Sequence, residues 1–122
     1  MLIERGVLLE KDDIVSSIIF ELRRGTLILS VLSQLDHQMY GYNLVTLLSE
    51  KGISIEANTL YPLLRRLESQ GILLSKWDTQ ESSKPRKYYI RTDLGDEIYE
   101  IIKAQWMNTI KTMNSLLTKE ES

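Results

Sequence analysis

Apolar residues recur at helical spacing over most of the chain, and polar breaks divide that spacing into separate elements. A first helical stretch begins near Asp12 or Asp13, whose carboxylates suit a positive helix N-terminus. It runs through Ile14, Ile18 and Ile19 to Leu22, and resumes at Leu27, Ile28, Val31, Leu32 and Leu35. Gly25 marks either a break or a close contact. Residues 1–10 carry no clear period and are expected to be frayed or weakly extended. Asp36-His37-Gln38 reads as a turn. A second helix is predicted over Tyr40 to Lys51, with Leu44, Leu47 and Leu48 on its apolar face and Gly52 at the stop position. Ile53 to Ile55 alternates like a very short strand. The third helix is expected from Asn58, an acceptable N-cap, to Gln70, closed by Gly71; such a late start is expected to keep Pro62 within the first turn, where proline is tolerated.

Two runs rich in β-formers follow, Ile72 to Trp77 and Lys87 to Arg91, around a tip at Asp78 to Arg86 that contains Ser82, Ser83 and Pro85. Thr92 caps a final helix with Asp93, Asp96 and Glu97 in its first turn, and that helix reaches Leu117. Three helices, a hairpin and a long helix make a mainly α fold with a small β-hairpin, the winged helix-turn-helix arrangement. Residues 1–92 then form the winged part, and 93–122 a long C-terminal helix and its tail.

On a wheel at roughly 100° per residue, Leu60, Leu63, Leu64 and Leu67 of the third helix cluster within about 100°, a core stripe. The opposite face carries Asn58, Tyr61, Pro62, Arg65 and Ser69, flanked by Thr59 and Arg66. A helix fits the major groove of DNA, where Asn pairs bidentately with adenine and Arg with guanine. Asn58 and Arg65 are therefore the candidate base readers, with capping the alternative for Asn58. At the hairpin tip Lys84, Arg86 and Lys87 suit phosphate or minor-groove contact. The alternative for them is protection of a sheet edge.

The last helix has an apolar face broader than one core contact needs. Leu94, Ile98, Ile101, Ile102, Trp106, Ile110, Met113, Leu116 and Leu117 spread over roughly 180°, against the ~100° usual for a helix packed on one side. A homodimer formed through Ile98, Ile101, Ile102, Trp106, Ile110, Met113, Leu116 and Leu117 would cover that face. Trp77, on the first hairpin strand, is expected to be a structural anchor.

Charge adds one qualification. The 122 residues have a formal net charge of −2, which by itself speaks against a nucleic-acid partner. The distribution reverses this: Asn58 to Arg91 carries seven basic residues (Arg65, Arg66, Lys76, Lys84, Arg86, Lys87, Arg91) against three acids, leaving the acidic excess elsewhere. At 43% hydrophobic and 26% charged the composition is that of a globular chain of one domain. There is no cysteine, which rules out disulfides and thiolate metal sites and is consistent with a reducing compartment. The longest apolar stretch near the start, Ile14 to Phe20, is too short to span a bilayer and lacks a basic flank. A cytoplasmic protein without membrane contact is the expectation.

Five blocks in order resemble the PadR family of bacterial transcriptional regulators: Leu22-Arg23-Arg24-Gly25-Thr26-Leu27, Tyr40-Gly41-Tyr42, Asn58-Thr59-Leu60-Tyr61-Pro62-Leu63, Arg65-Arg66-Leu67-Glu68 and Pro85-Arg86-Lys87-Tyr88-Tyr89. The resemblance covers about residues 21 to 110. It implies DNA binding as a dimer, usually repression, and often release by a small ligand. It also implies that Tyr61 and the arginines after it lie on the recognition helix and that Lys84 to Lys87 lie on the wing. Tyr40 and Tyr42 would open the second helix, where the family approaches the DNA backbone; packing is the alternative for either tyrosine. In one multidrug-sensing branch a tryptophan at the place of Trp106 stacks on planar ligands, so Trp106 and Met113 are candidate contacts for a small hydrophobic or aromatic effector. Plain interface packing is the alternative for Trp106.

Two other classes compete. An enzyme would need a constellation that is not visible: the single histidine, His37, sits in a turn with no second metal ligand or nucleophile beside it, so no catalytic residue, metal or cofactor is assigned. A winged-helix protein–protein adaptor without DNA binding fits the acidic total but not the basic wing.

Overall fold

The structure is a computed structural model that describes residues 2–79 and 84–119, with side chains from residue 10 onward. Its elements are α1 (Leu2–Ser33), β1 (Met39–Tyr40), α2 (Gly41–Glu50), α3 (Ala57–Ser69), β2 (Leu73–Asp78), β3 (Arg86–Arg91) and α4 (Asp93–Thr118). The predicted order of helices, hairpin and long helix stands, with two differences at its start. Residues 2–10 are the first turns of α1, not a frayed segment, and α1 passes through Gly25 without a break. No proline interrupts residues 1–33. Around the glycine, Thr26 and Ser30 return their hydroxyls to the Arg23 and Thr26 carbonyls, at 2.8 and 3.0 Å. The middle of the expected hairpin tip, with Ser82 and Ser83, lies outside the described residues.

The sheet also differs. Ile53 to Ile55 is not a strand; Met39–Tyr40 is. The reason lies in how α2 ends. Gly52 adopts φ +96°, its N–H donates to the Ser49 carbonyl (3.0 Å), and the Ile53 N–H donates to that of Leu48 (2.8 Å). This paired closure consumes the amide that a strand at Ile53 would need. The end of α3 repeats it: Gly71 at φ +81° bonds Glu68, and Ile72 bonds Leu67, both at 3.0 Å. Met39 and Tyr40 instead pair with Tyr89 and Tyr88, giving an antiparallel sheet of order β1-β3-β2. The β2–β3 register runs from Leu73 opposite Arg91 to Asp78 opposite Arg86.

One core joins these parts. Val31 and Leu32 of α1, Leu35 in the turn after it, Leu44 and Leu48 of α2, Leu60, Leu64 and Leu67 of α3, and Leu73 and Tyr89 of the sheet are all buried. Fully burying each such leucine contributes about 1.5–3 kcal/mol, so the leucine stripe of α3 is what presses that helix inward and turns its other side out. Ile98, Tyr99 and Ile102 of α4 pack against the same core.

Arg91 is the rivet between α1, β3 and α4. Its N–H donates to the Leu35 carbonyl (2.9 Å), its guanidinium donates to the Leu32 carbonyl and to Asp96 (2.8 Å), and it lies over the Tyr99 ring at 4.3 Å. With its side chain only 10% exposed, Arg91 drops out of the basic surface counted from the sequence. Thr92 caps α4 as predicted, accepting from the Gly95 N–H at 3.0 Å.

Candidate nucleic-acid interface

The surface expected to meet DNA is assembled by the outer side of α3, the start of α2 and the hairpin. Asn58, Pro62, Arg65 and Ser69 form an exposed strip along α3, opposite its buried leucines. The helix starts at Ala57 with Glu56 at the N-cap, two residues before the cap expected at Asn58. Asn58 is therefore inside the helix and does not cap it. Pro62 falls in the second turn, where it removes the donor that the Asn58 carbonyl would otherwise receive. Lying on the exposed strip, that carbonyl can be hydrated, which limits the cost.

Tyr61 leaves the strip expected of it. It is half-buried, with its ring over the first turn of α2: a Cβ placed on Gly41 would stand 2.5 Å from Tyr61 Cε1. Gly41 thus admits the ring and sets the spacing of α2 and α3. Thr59 and Arg66 lie on the other flank of α3, facing α1. Both are exposed.

On the wing side, Tyr40, Tyr42, Tyr61, Arg65, Arg86 and Lys87 converge on one cleft of about 440 Å³. The two tyrosines at the start of α2 have different fates. Tyr42 is 73% exposed. Tyr40 packs: its hydroxyl donates to Asp78 Oδ2 (2.5 Å), its ring meets Tyr88 edge-on, and the Arg86 guanidinium lies 4.5 Å from its centroid. The hydrogen bond to Asp78, followed by partial desolvation, raises the Tyr40 hydroxyl above its usual pKa. A ring–cation–carboxylate contact thereby ties β1 to the base of the hairpin tip.

A second tie joins α3 to the sheet. Glu68 accepts from Ser75 Oγ (2.5 Å) and stands 3.7 Å from Lys87 Nζ, which also lies over the Trp77 and Tyr89 rings at 5.6 and 5.7 Å. Lys87 is half-buried, whereas the Lys84 and Arg86 side chains are exposed. Burial, then the negative charge of Glu68, raises the Tyr89 hydroxyl pKa. Trp77 is 62% exposed beside Lys87, so it lines the cleft and does not anchor the core as expected. Lys76 alternates to the other sheet face, away from α3. Sequence reasoning missed Gly41, Glu68, Ser75 and Asp78, none of which carries a base-reading or phosphate-binding signature.

The proposed interface residues of α4 also divide. Ile98 and Ile102 are half-buried on the chain's own core, and Ile110 is half-buried farther along. Ile101, Trp106, Met113, Leu116 and Leu117 are exposed. A second apolar group not assigned from the sequence, Ile14, Val15, Ile18 and Leu22, is exposed on α1. His37 is exposed and hydrogen-bonds Asp36 at 2.8 Å, and that bond lowers the Asp36 pKa. Among the described residues no group of three metal-ligating side chains occurs, and no helix is long and apolar enough to cross a membrane.

Comparison with known proteins places this arrangement. No curated protein matches the chain. A PadR family transcriptional regulator from Eggerthella lenta DSM 2243 is similar in structure with a TM-score of 0.85 and 54% sequence identity, over 92% of this chain and 99% of that one. A PadR-like transcriptional regulator from Bacillus cereus strain ATCC 14579 is similar at 0.73 and 30%, over 82% and 99%. A PadR family transcription regulator from Clostridium difficile R20291 follows at 0.64 and 34%, over 75% and 94%. Residues 28–101 match the transcriptional regulator PadR-like family. With that match spanning the core of the winged fold, the chain belongs to the PadR-like family of transcriptional regulators.

Proposed function

We propose that the protein is a cytoplasmic repressor that binds a two-fold DNA operator as a homodimer and has no catalytic role. The observation that carries the reading is the exposed strip Asn58–Pro62–Arg65–Ser69, held outward by the buried leucines behind it and bordered by the cationic cleft at the wing. A helix presented in this way can enter the major groove, where Asn58 and Arg65 reach base edges. Lys84 and Arg86 on the wing and Tyr42 at the start of α2 supply contacts to the backbone. Thr59, Pro62 and Arg66 line the groove wall. Tyr40, Tyr61 and Lys87 act mainly by holding these elements in place. Residues 1–92 serve as the DNA-binding part and 93–122 as the dimerisation part.

Dimerisation is supported by the apolar side chains that the single chain leaves in water on both α1 and α4. Two copies related by a two-fold axis would place their recognition helices about 34 Å apart, one turn of DNA.

A salt titration of gel shifts tests the reading. Sequence-selective binding with a steep salt slope is expected; an adaptor would show neither. Arg65→Ala is expected to relax preference at one base position by about 1–3 kcal/mol, and Lys84→Ala to weaken all sequences alike. Equal loss on operator and random DNA for Arg65→Ala would remove Arg65 from the base readers.

Release by a small hydrophobic or aromatic effector is the finer part of the proposal. Trp106 and Met113, seven residues apart and both exposed, share one side of α4. In a Trp77→Phe background, a panel of planar aromatic compounds should include members that quench Trp106 emission and release DNA. Unchanged emission across the panel, with DNA still bound, would exclude this site.

A further inference from the structure

The cations on the two flanks of α3 differ in one respect. On the wing side two of them are engaged within the chain: Arg86 lies over Tyr40, and Lys87 sits between Glu68, Trp77 and Tyr89, while Arg65 stands on the exposed strip itself. On the α1 side lie Arg23, Arg24 and Arg66, all exposed. Arg24 and Arg66 line one recess together with Thr59 and Pro62. Arg23 and Arg24 line the adjoining one, where Glu56 and Thr59 form the α3 wall. Among the described residues, none of these three guanidinium groups has an internal hydrogen bond or ion pair, whereas Arg91 is fully occupied.

Three exposed arginines that line adjoining recesses, without an internal partner among the described residues, present a local positive surface that favours an anionic partner. Glu56 offsets only part of that charge. The geometry of a duplex supplies the partner. A helix about 10–12 Å across that enters a groove about 12 Å wide has a sugar–phosphate strand on each side. With α3 in that groove, the wing and the start of α2 would stand against one strand and the α1–α3 corner against the other.

We propose that Arg23 and Arg24 of α1, with Arg66 of α3, form a second phosphate-binding site, so that the DNA backbone is gripped on both flanks of the recognition helix. The site rests on the DNA-binding reading above, and it places α1 in the interface in addition to its place in the core. Its contacts go to phosphate and carry no base information, so they set affinity and salt dependence while α3 sets sequence choice.

The test is the dependence of DNA affinity on salt for the full-length protein. The probes are a duplex selected by the wild-type chain from a random pool and an unselected duplex of the same length. Each phosphate contact adds about 0.9 to the slope of log K against log salt. The double variant Arg23→Ala/Arg24→Ala removes two contacts from each copy of the dimer, so it is expected to lower the slope by about 3–4 on both duplexes while the ratio of their affinities stays the same. Arg23→Lys/Arg24→Lys should restore most of the slope, because the charges return. Both positions are exposed, so the thermal midpoint should not move, and that measurement separates loss of contact from loss of fold. A wild-type slope in the alanine variant overturns the site, and so does a changed slope that lysine fails to restore. Absence of any DNA binding by the wild-type chain is a different result: it overturns the DNA-binding reading, and this site with it.

Discussion

Replacing Ile101 and Leu116 by glutamine is expected to turn the protein into a monomer and to weaken operator binding by about 10²–10⁴-fold. Both residues lie on α4 and are 66% and 61% exposed in the single chain, so neither substitution disturbs the chain's own core. Glutamine is a good helix former and leaves the net charge unchanged. In the proposed dimer each side chain buries against the second copy, and full burial of an Ile or Leu contributes about 1.5–3 kcal/mol. Two residues from each of two copies therefore remove about 6–12 kcal/mol at most. That is enough to separate the copies at micromolar concentration. The DNA effect follows because one half-site no longer holds the second nearby, an advantage of about 10²–10⁴. Sedimentation and a gel shift read the two results. A variant that stays dimeric would move the interface off this face of α4, and Ile14, Val15, Ile18 and Leu22 of α1 would be the next residues to substitute.

Gly95→Ala is expected to destabilise the fold by about 1–3 kcal/mol, the usual cost of overpacking. Gly95 is buried in the first turn of α4, and an added Cβ would overlap the Ile72 carbonyl oxygen, which is backbone and cannot rotate away. Arg91 Cβ, 3.3 Å from the same point, limits escape to the other side. The same carbonyl accepts from the Thr92 N–H at 3.1 Å, and Thr92 caps the helix, so relief of the clash loosens the cap as well. Denaturant titration of the variant checks this. Alanine elsewhere in a helix normally stabilises relative to glycine, so an unchanged or raised midpoint would mean that α4 can shift on the sheet at little cost.

Each substitution depends on a feature that was legible in the chain to a different degree. The breadth of the α4 apolar face was visible from spacing alone, because nine apolar residues over roughly 180° exceed what one packed side absorbs. Which of them the chain uses for itself was not visible: Ile98 and Ile102 pack inward while Ile101 between them points out. That division depends on where α4 crosses the core. Gly95 carried no signal, since its role comes from the carbonyl of a residue 23 positions earlier.

The recognition surface divides in the same way. The exposed strip of α3 follows from its leucine spacing, and Arg65 and Asn58 could be placed on it directly. Tyr61 was misplaced by the wheel because a ring at the edge of the exposed face turns toward the gap left by Gly41. The basic count between Asn58 and Arg91 was correct as arithmetic but not as surface. Arg91 is riveted inside, Lys76 faces away, Lys87 is paired with Glu68, and Arg23 and Arg24 enter from outside the counted segment.

What the sequence determined by itself is local and periodic: the helices, their buried stripes, the glycine closures of α2 and α3, the Thr92 cap and the hairpin. These depend on residues within a few positions of one another, whose spacing is written in the chain. Only the tertiary structure decided that Met39–Tyr40 pairs as a third strand. It also decided which cations face outward beside α3. Those outcomes depend on contacts between residues far apart in sequence, where a half-turn of one helix decides whether an arginine is a rivet or part of a surface that can meet DNA.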